Sequence, residues 1–144
     1  MKILIKKLKD NAVIPTRGSE YAAGYDLYST NTDIVAIAPY QTIKFETGIA
    51  MAIPEGYFGA VYARSGMGCN RNLRPANCVG VIDSDYRGDI TVALHNDSGE
   101  PRLIDPGMKI AQIVIQKFED IDFNEVDELP KTVRGEDGFG STGE

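Results

Sequence analysis

Residues 109–118 read KIAQIVIQKF, four β-branched side chains in ten positions, opened by the turn signal Asp105-Pro106-Gly107. The run lacks the length and the spacing of an amphipathic helix and suits a pleated, half-buried surface. Working outward, the same texture recurs in residues 2–8 (KILIKKL), 33–39 (DIVAIAP), 42–53 (TIKFETGIAMAI), 57–63 (YFGAVYA), 77–83 (NCVGVID) and 89–96 (DITVALHN). Breaks of the Pro54-Glu55-Gly56 and Asp97-Ser98-Gly99 kind separate these runs. The one helical candidate is a turn or two between Gly66 and Asn72. Many short strands joined by tight turns predict an all-β, jelly-roll-like barrel or sandwich, because only closure or a second sheet hides so many edges.

The 144 residues suffice for one domain with a sizeable core, and 42% hydrophobic with 25% charged is ordinary globular composition. Fifteen basic against 21 acidic side chains give a formal charge of -6, which repels a nucleic-acid backbone or an anionic membrane. The lysines of residues 2–9 alternate with Ile3 and Ile5 and read as an edge strand guarded against aggregation. No apolar run is long enough to span a membrane and no signal-type segment follows Met1, so the expectation is a soluble, cytoplasmic chain. Cys69 and Cys78 are expected as reduced thiols with core roles, and His95 as a strand-end residue. After Phe118 the composition turns acidic and glycine-rich. The expected organisation is a β-barrel over residues 1–118, a linker over 119–132 and a flexible arm over 133–144.

Four polar stretches interrupt the strands where packing asks for nothing polar. In AAGYDLYS (22–29), Gly24 and Asp26 break a strand-like segment. In ARSGMG (63–68), Arg64, Ser65 and Gly66 stand at a strand-to-helix junction, which reads either as a phosphate site or as a plain Ser N-cap. In NCVGVIDSDYRGDI (77–90), Asp83, Asp85, Tyr86, Arg87 and Asp89 read either as a hairpin turn or as one wall of a nucleotide pocket. In GMKIAQ (107–112), Gln112 interrupts the apolar alternation as a structural amide or as a site residue.

Together these stretches, with the tail RGEDGFGSTG (134–143), resemble the five motifs of the trimeric dUTPase family, in order and at family spacing. Asp137, where the tail motif usually has glycine, and Ala63, where proline or serine commonly precedes the Arg-Ser pair, are the departures. The resemblance implies a jelly-roll-like subunit, a homotrimer with shared active sites, and Mg²⁺-dependent cleavage of dUTP to dUMP and pyrophosphate.

The resemblance further implies a role for each residue. Asp83 orients and deprotonates the water that attacks the α-phosphorus, as an ionised carboxylate can. Tyr86 packs below the deoxyribose and leaves no room for a 2′-hydroxyl. Asn77 with the backbone from Cys78 through Gly80 to Val81 reads the uracil edge. Arg64, Ser65, Gly66 and Gln112 hold the phosphates. Asp26 lies near the Mg²⁺ through water, the ion being held mainly by phosphate oxygens. In the arm, Phe139 stacks on the base, while Arg134, Gly140, Ser141 and Thr142 close on the triphosphate.

Overall fold

The computed structural model describes residues 1–138. Its strands are β1 (Leu4–Lys7), β2 (Thr16–Arg17), β3 (Tyr25–Tyr28), β4 (Val35–Ile37), β5 (Thr42–Phe45), β6 (Ile49–Ala52), β7 (Tyr57–Tyr62), β8 (Leu73–Pro75), β9 (Gly80–Ile82), β10 (Val92–Asn96), β11 (Arg102–Ile104) and β12 (Lys109–Lys117). A single π-helical turn, Gly66–Asn70, is the helical element among the described residues, and it buries Met67. The five-stranded sheet β2-β3-β12-β7-β9 is entirely antiparallel and is centred on β12, the β-branched run that begins at Lys109. A three-stranded sheet, β5-β10-β8, and the pairs β1-β6 and β11-β4 complete the all-β fold.

Leu27, Ile37, Ile49, Leu73, Ile90, Leu94, Ile104, Ile110 and Ile113 are fully buried and form the centre of one core. Burial of this kind contributes about 1.5–3 kcal/mol per large aliphatic side chain, which is why β-branched runs decide the architecture. The pattern in β12 carries one irregularity. Lys109 pairs with Tyr28 but Ala111 with Leu27, so Ile110 is an extra residue in a β-bulge. The bulge lets Ile110 and Ala111 both face the core, and it turns Gln112 to the opposite face. Gln112 therefore does not break the alternation; the bulge two residues earlier does.

Asp26 differs from expectation in a similar way. It does not break a strand but sits inside β3, buried, opposite Thr16 on one side and Gln112 on the other. The cysteines also differ: Cys69 and Cys78 are both free and exposed. Met67 takes the core-facing position of the π-helical turn, leaving Cys69 outside, and Cys78 occupies a corner with φ +62° between β8 and β9.

Candidate active site

One row of residues crosses the large sheet, Thr16 to Asp26 to Gln112 to Tyr62, each paired with the next on adjacent strands. Just beyond Tyr62 the chain leaves β7, and Arg64 turns back to Asp26. Its Nε donates to Asp26 Oδ1 at 2.7 Å, while Lys109 Nζ donates to Oδ2 at 2.8 Å. One buried carboxylate thus holds two cations, and the cluster carries a net positive charge. Asp26, first by its hydrogen bond and then by its charge, holds the Lys109 ammonium above the ordinary lysine range, with Arg64 opposing. Lys109 also lies 5.7 Å over the Tyr28 ring. The terminal guanidinium nitrogens of Arg64 have no hydrogen-bond partner among the described residues, which leaves its fork available to an anion.

Gln112 is held beside them. Its Nε2 donates to Ala63 O at 3.0 Å, and its Oε1 lies over Gly24, where a Cβ would stand only 3.0 Å from the amide carbon. Ser65 occupies the N-cap position of the π-helical turn but has helical dihedrals and makes no capping bond. The N-cap reading is thereby set aside, and the exposed hydroxyl has no hydrogen-bond partner among the described residues. Met67 N–H and Gly68 N–H both donate to Arg64 O and turn the chain so that Ser65 and Gly66 face solvent. Asp26, Arg64, Ser65, Gly66 and Gln112 therefore come together, and Lys109 joins them, although sequence reading had passed it over three positions before Gln112.

A second group forms where β9 ends. Tyr86 N–H donates to Asp83 O at 3.2 Å, closing a turn that Arg87 braces through Ser84 O and Tyr86 O at 2.6 and 2.9 Å. The Tyr86 ring lies across Gly88, where a Cβ would sit 2.6 Å from Cζ, and its hydroxyl donates to Asp89 O at 3.0 Å. Asp83 is exposed, and its carboxylate has no hydrogen-bond partner among the described residues. Asp89 is structural instead: it accepts from Thr47 N at 3.0 Å and Gly48 N at 2.8 Å, pinning a turn where Gly48 has φ +66°. Asp83, Tyr86, Asp89, Val81, Ile82 and Thr91 line a hollow of about 160 Å³. At the other end of β9, Asn77 is exposed and its amide lies 3.5 Å from where a Cβ of Gly80 would stand, so these two are together as well.

The Asp83 and Tyr86 end of the second group is not brought beside the first group within one chain. Ile82 pairs with Gly59, so Asp83 continues toward Phe58, whereas Gln112 pairs with Tyr62. The four residue steps from Phe58 to Tyr62 separate the levels by about 13 Å at strand rise, before the spacing between strands is added. Arg134 belongs to neither group here. Its Nε donates to Asp137 O at 2.8 Å in a turn with Gly135 at φ +57°. Phe139, Gly140, Ser141 and Thr142 lie outside the described residues.

A larger hollow of about 410 Å³, lined by Ile3, Ile5, Ile14, Met51, Ile113 and neighbours, is apolar and offers no chemistry. No three His, Cys, Asp or Glu side chains converge on a metal-sized site among the described residues. Both Asp26 oxygens already accept from cations, so this carboxylate fits a role toward metal-bound waters rather than direct ligation.

An all-β chain with a cationic, hydroxyl-bearing corner and a separate turn pairing a free carboxylate with a tyrosine has the parts of a nucleoside-polyphosphate-binding protein. Comparison makes the class specific: a family model described as dUTPase matches residues 10–143, and the chain belongs to that family. It is 48% identical over 142 residues to the deoxyuridine 5′-triphosphate nucleotidohydrolase of Corynebacterium glutamicum, covering 98% of this chain and 94% of the relative. It is 44% identical to the enzyme of that name from Escherichia phage T5, covering 95% and 96%. In structure it resembles a Staphylococcus bacteriophage 80alpha dUTPase solved with dUpNHpp, with a TM-score of 0.86 at 29% identity over 99% and 98% of the two chains. It also resembles a dUTPase from phage phi11 of S. aureus described with a structural Mg(II) ion, with a TM-score of 0.78 at 27% identity over 89% and 98%.

Proposed function

We propose that this chain hydrolyses dUTP to dUMP and pyrophosphate, at sites shared between the copies of a homotrimer. The observation that carries this reading is the exposed Asp83 carboxylate, unpartnered among the described residues and in one turn with Tyr86, set apart from a cationic group that holds Arg64 ready. Asp83 accepts a hydrogen bond from water, aims it at the α-phosphorus and takes its proton as the oxygen–phosphorus bond forms. Arg64, Ser65, Gly66 and Gln112 hold the phosphate oxygens and stabilise the charge that gathers as the bond to the β-phosphate breaks. Tyr86, fixed by its bond to Asp89 O, excludes a 2′-hydroxyl, and Asn77 with the backbone from Cys78 through Gly80 to Val81 reads uracil.

Asp26 would face the waters of a Mg²⁺ ion brought by the substrate's phosphates, and such an ion would supply neutralisation of the triphosphate. From the arm, Phe139 covers the base, and Arg134, Gly140, Ser141 and Thr142 complete the phosphate site while excluding water. The reaction would keep uracil out of DNA and supply dUMP for dTMP synthesis, in the cytoplasm.

Sharing between copies is supported by two measures. The hollow beside Asp83 holds about 160 Å³, whereas small-molecule sites run to about 300–1,000 Å³, so the described residues of one chain do not enclose a nucleotide there. The separation along β7 also keeps Asp83 from a phosphate held by Gln112 of the same chain. The test is incubation of purified protein with Mg²⁺ and, in parallel, dUTP, UTP, dCTP and dTTP. Formation of dUMP and pyrophosphate from dUTP alone is the expected result; release of ammonia from dCTP, or binding of dUTP without turnover, would overturn it.

A further inference from the structure

The corner that carries Asn77 is an unusual piece of backbone. Cys78, a residue with a side chain, sits at φ +62° in the left-handed region that favours glycine, so something must hold it there. Cys78 N–H donates to Pro75 O at 2.9 Å and Val79 N–H to Asn77 O at 2.7 Å, two tight turns in succession. What grips this corner from outside is Arg74. Its Nε and Nη2 fork onto Asp97 Oδ2 and Oδ1 at 2.8 and 3.1 Å, while Nη1 reaches both Pro75 O and Ala76 O at 3.3 Å and lies 3.8 Å from Cys78 Sγ. Asp97 is anchored in turn: its N–H donates to Asn72 O at 2.9 Å, and it directly follows β10.

We infer that Arg74, anchored by Asp97, is a positioning residue that fixes the corner bearing Asn77 and so sets how tightly this chain holds its base. The inference rests on the nucleotide reading given above and deepens it. The Arg74 and Asp97 side chains are 38% and 41% exposed, and exposed ion pairs add little to global stability. The consequence of this pair is therefore geometric. A planar guanidinium satisfies the carboxylate and both carbonyls at once, which a lysine ammonium on a flexible stem does not do. A corner released from this grip lets the Asn77 amide wander relative to Gly80, and an ångström of misplacement is costly at a recognition site.

The experiment compares Arg74→Met, Arg74→Lys, Asp97→Asn and the double variant Arg74→Met/Asp97→Asn with the unaltered chain, all full length, reading KM and kcat for dUTP, with circular dichroism as the check on folding. The expected result is a rise of about tenfold in KM for dUTP in Arg74→Met with little change in kcat, the signature of lost uniform binding. Arg74→Lys should recover only part of it, Asp97→Asn should match Arg74→Met, and the double variant should be no worse than either single one, because the pair acts as a unit. If Arg74→Met fails to fold, Arg74→Lys and Asp97→Asn decide the matter by the same KM shift. Unchanged KM in the folded variants, or additive effects of the two changes, would overturn the inference while leaving the function standing. An unaltered chain that turns over no dUTP would overturn the function and this inference with it.

Discussion

Gly24 and Gln112 exclude one another's bulk: the place where a side chain at Gly24 would begin is occupied by the carboxamide of Gln112. Gln112 is turned there by its bond to Ala63 O and by the bulge at Ile110, which commits it to that face of the sheet. The φ of Gly24 lies outside the left-handed region, so alanine suits the backbone and would even gain about 0.4–1 kcal/mol by restricting the unfolded chain. Against that stands loss of the amide hydrogen bond, about 0.5–1.5 kcal/mol. The two nearly cancel. Gly24→Ala should therefore change unfolding free energy by less than about 1 kcal/mol yet raise KM for dUTP several-fold, as denaturant titration and steady-state kinetics on the same preparation would show.

Asp83 and Asp89 lie six positions apart in one polar stretch, and the proposed function gives them opposite duties, base and turn anchor. Asp83→Asn should leave binding of a non-hydrolysable dUTP analogue nearly intact and drop kcat by about 10²–10⁴, the range of a general base. A large loss of affinity with turnover preserved would take the base role from Asp83. Asp89→Ala strands the N–H groups of Thr47 and Gly48 at a turn that already needs a left-handed glycine. Each charge-assisted bond contributes about 1.5–3 kcal/mol, so losing both should cost this variant roughly 3–6 kcal/mol of unfolding free energy in denaturant while its surviving folded fraction retains Asp83 chemistry.

Lys109 gives the fold a dependence on alkaline pH whose sign follows from Asp26. Its ammonium is held above the ordinary lysine value, chiefly by the hydrogen bond to that carboxylate. A cation whose folded pKa is raised stabilises the fold fully below the unfolded value of about 10.4 and loses that contribution as pH rises through the folded one. The difference in unfolding midpoint between the unaltered chain and Lys109→Met should stay constant through neutral pH and shrink above about pH 10.4. A difference that shrank on acidification below neutrality, with the alkaline limb flat, would assign the effect to another group.

What the sequence disclosed and what it hid divide along a physical line. The β-branched runs around Ile43, Val61, Val92 and Ile113 are strands because their alternation is a local property of the chain. β2, β8 and β11, of two or three residues each, exist because a neighbouring strand recruits them, and local pattern carries no trace of that. Asp26 reads as a strand breaker because a carboxylate in a strand is unfavourable until Arg64 and Lys109 reach it from far along the chain. The polar stretches holding Arg64, Asn77, Asp83 and Gln112 stood out because packing has no use for them, but their distribution over two separate corners is a matter of register on β7. Arg74 and Asp97 gave no signal, since an arginine in a strand and an aspartate in a turn are each ordinary.

That division into two corners makes a prediction about the assembly. In Arg64→Ala the phosphate corner is damaged and Asp83 is intact; in Asp83→Asn the reverse holds. If one chain supplied both, mixing the two inactive proteins would restore nothing. If neighbouring copies supply one each, dissociating and reassembling an equal mixture gives each interface an intact Arg64 and an intact Asp83 in about one quarter of cases, the outcome of random placement in a closed ring. Activity should therefore rise from the background of either variant to about one quarter of the unaltered level, an estimate that assumes unbiased exchange of copies. The measurement is dUTP turnover after co-refolding, with sedimentation to establish whether the proposed trimers have formed. Trimers that reform without any gain in turnover would place both corners of a working site on one chain, against the register of Ile82 with Gly59 and of Gln112 with Tyr62.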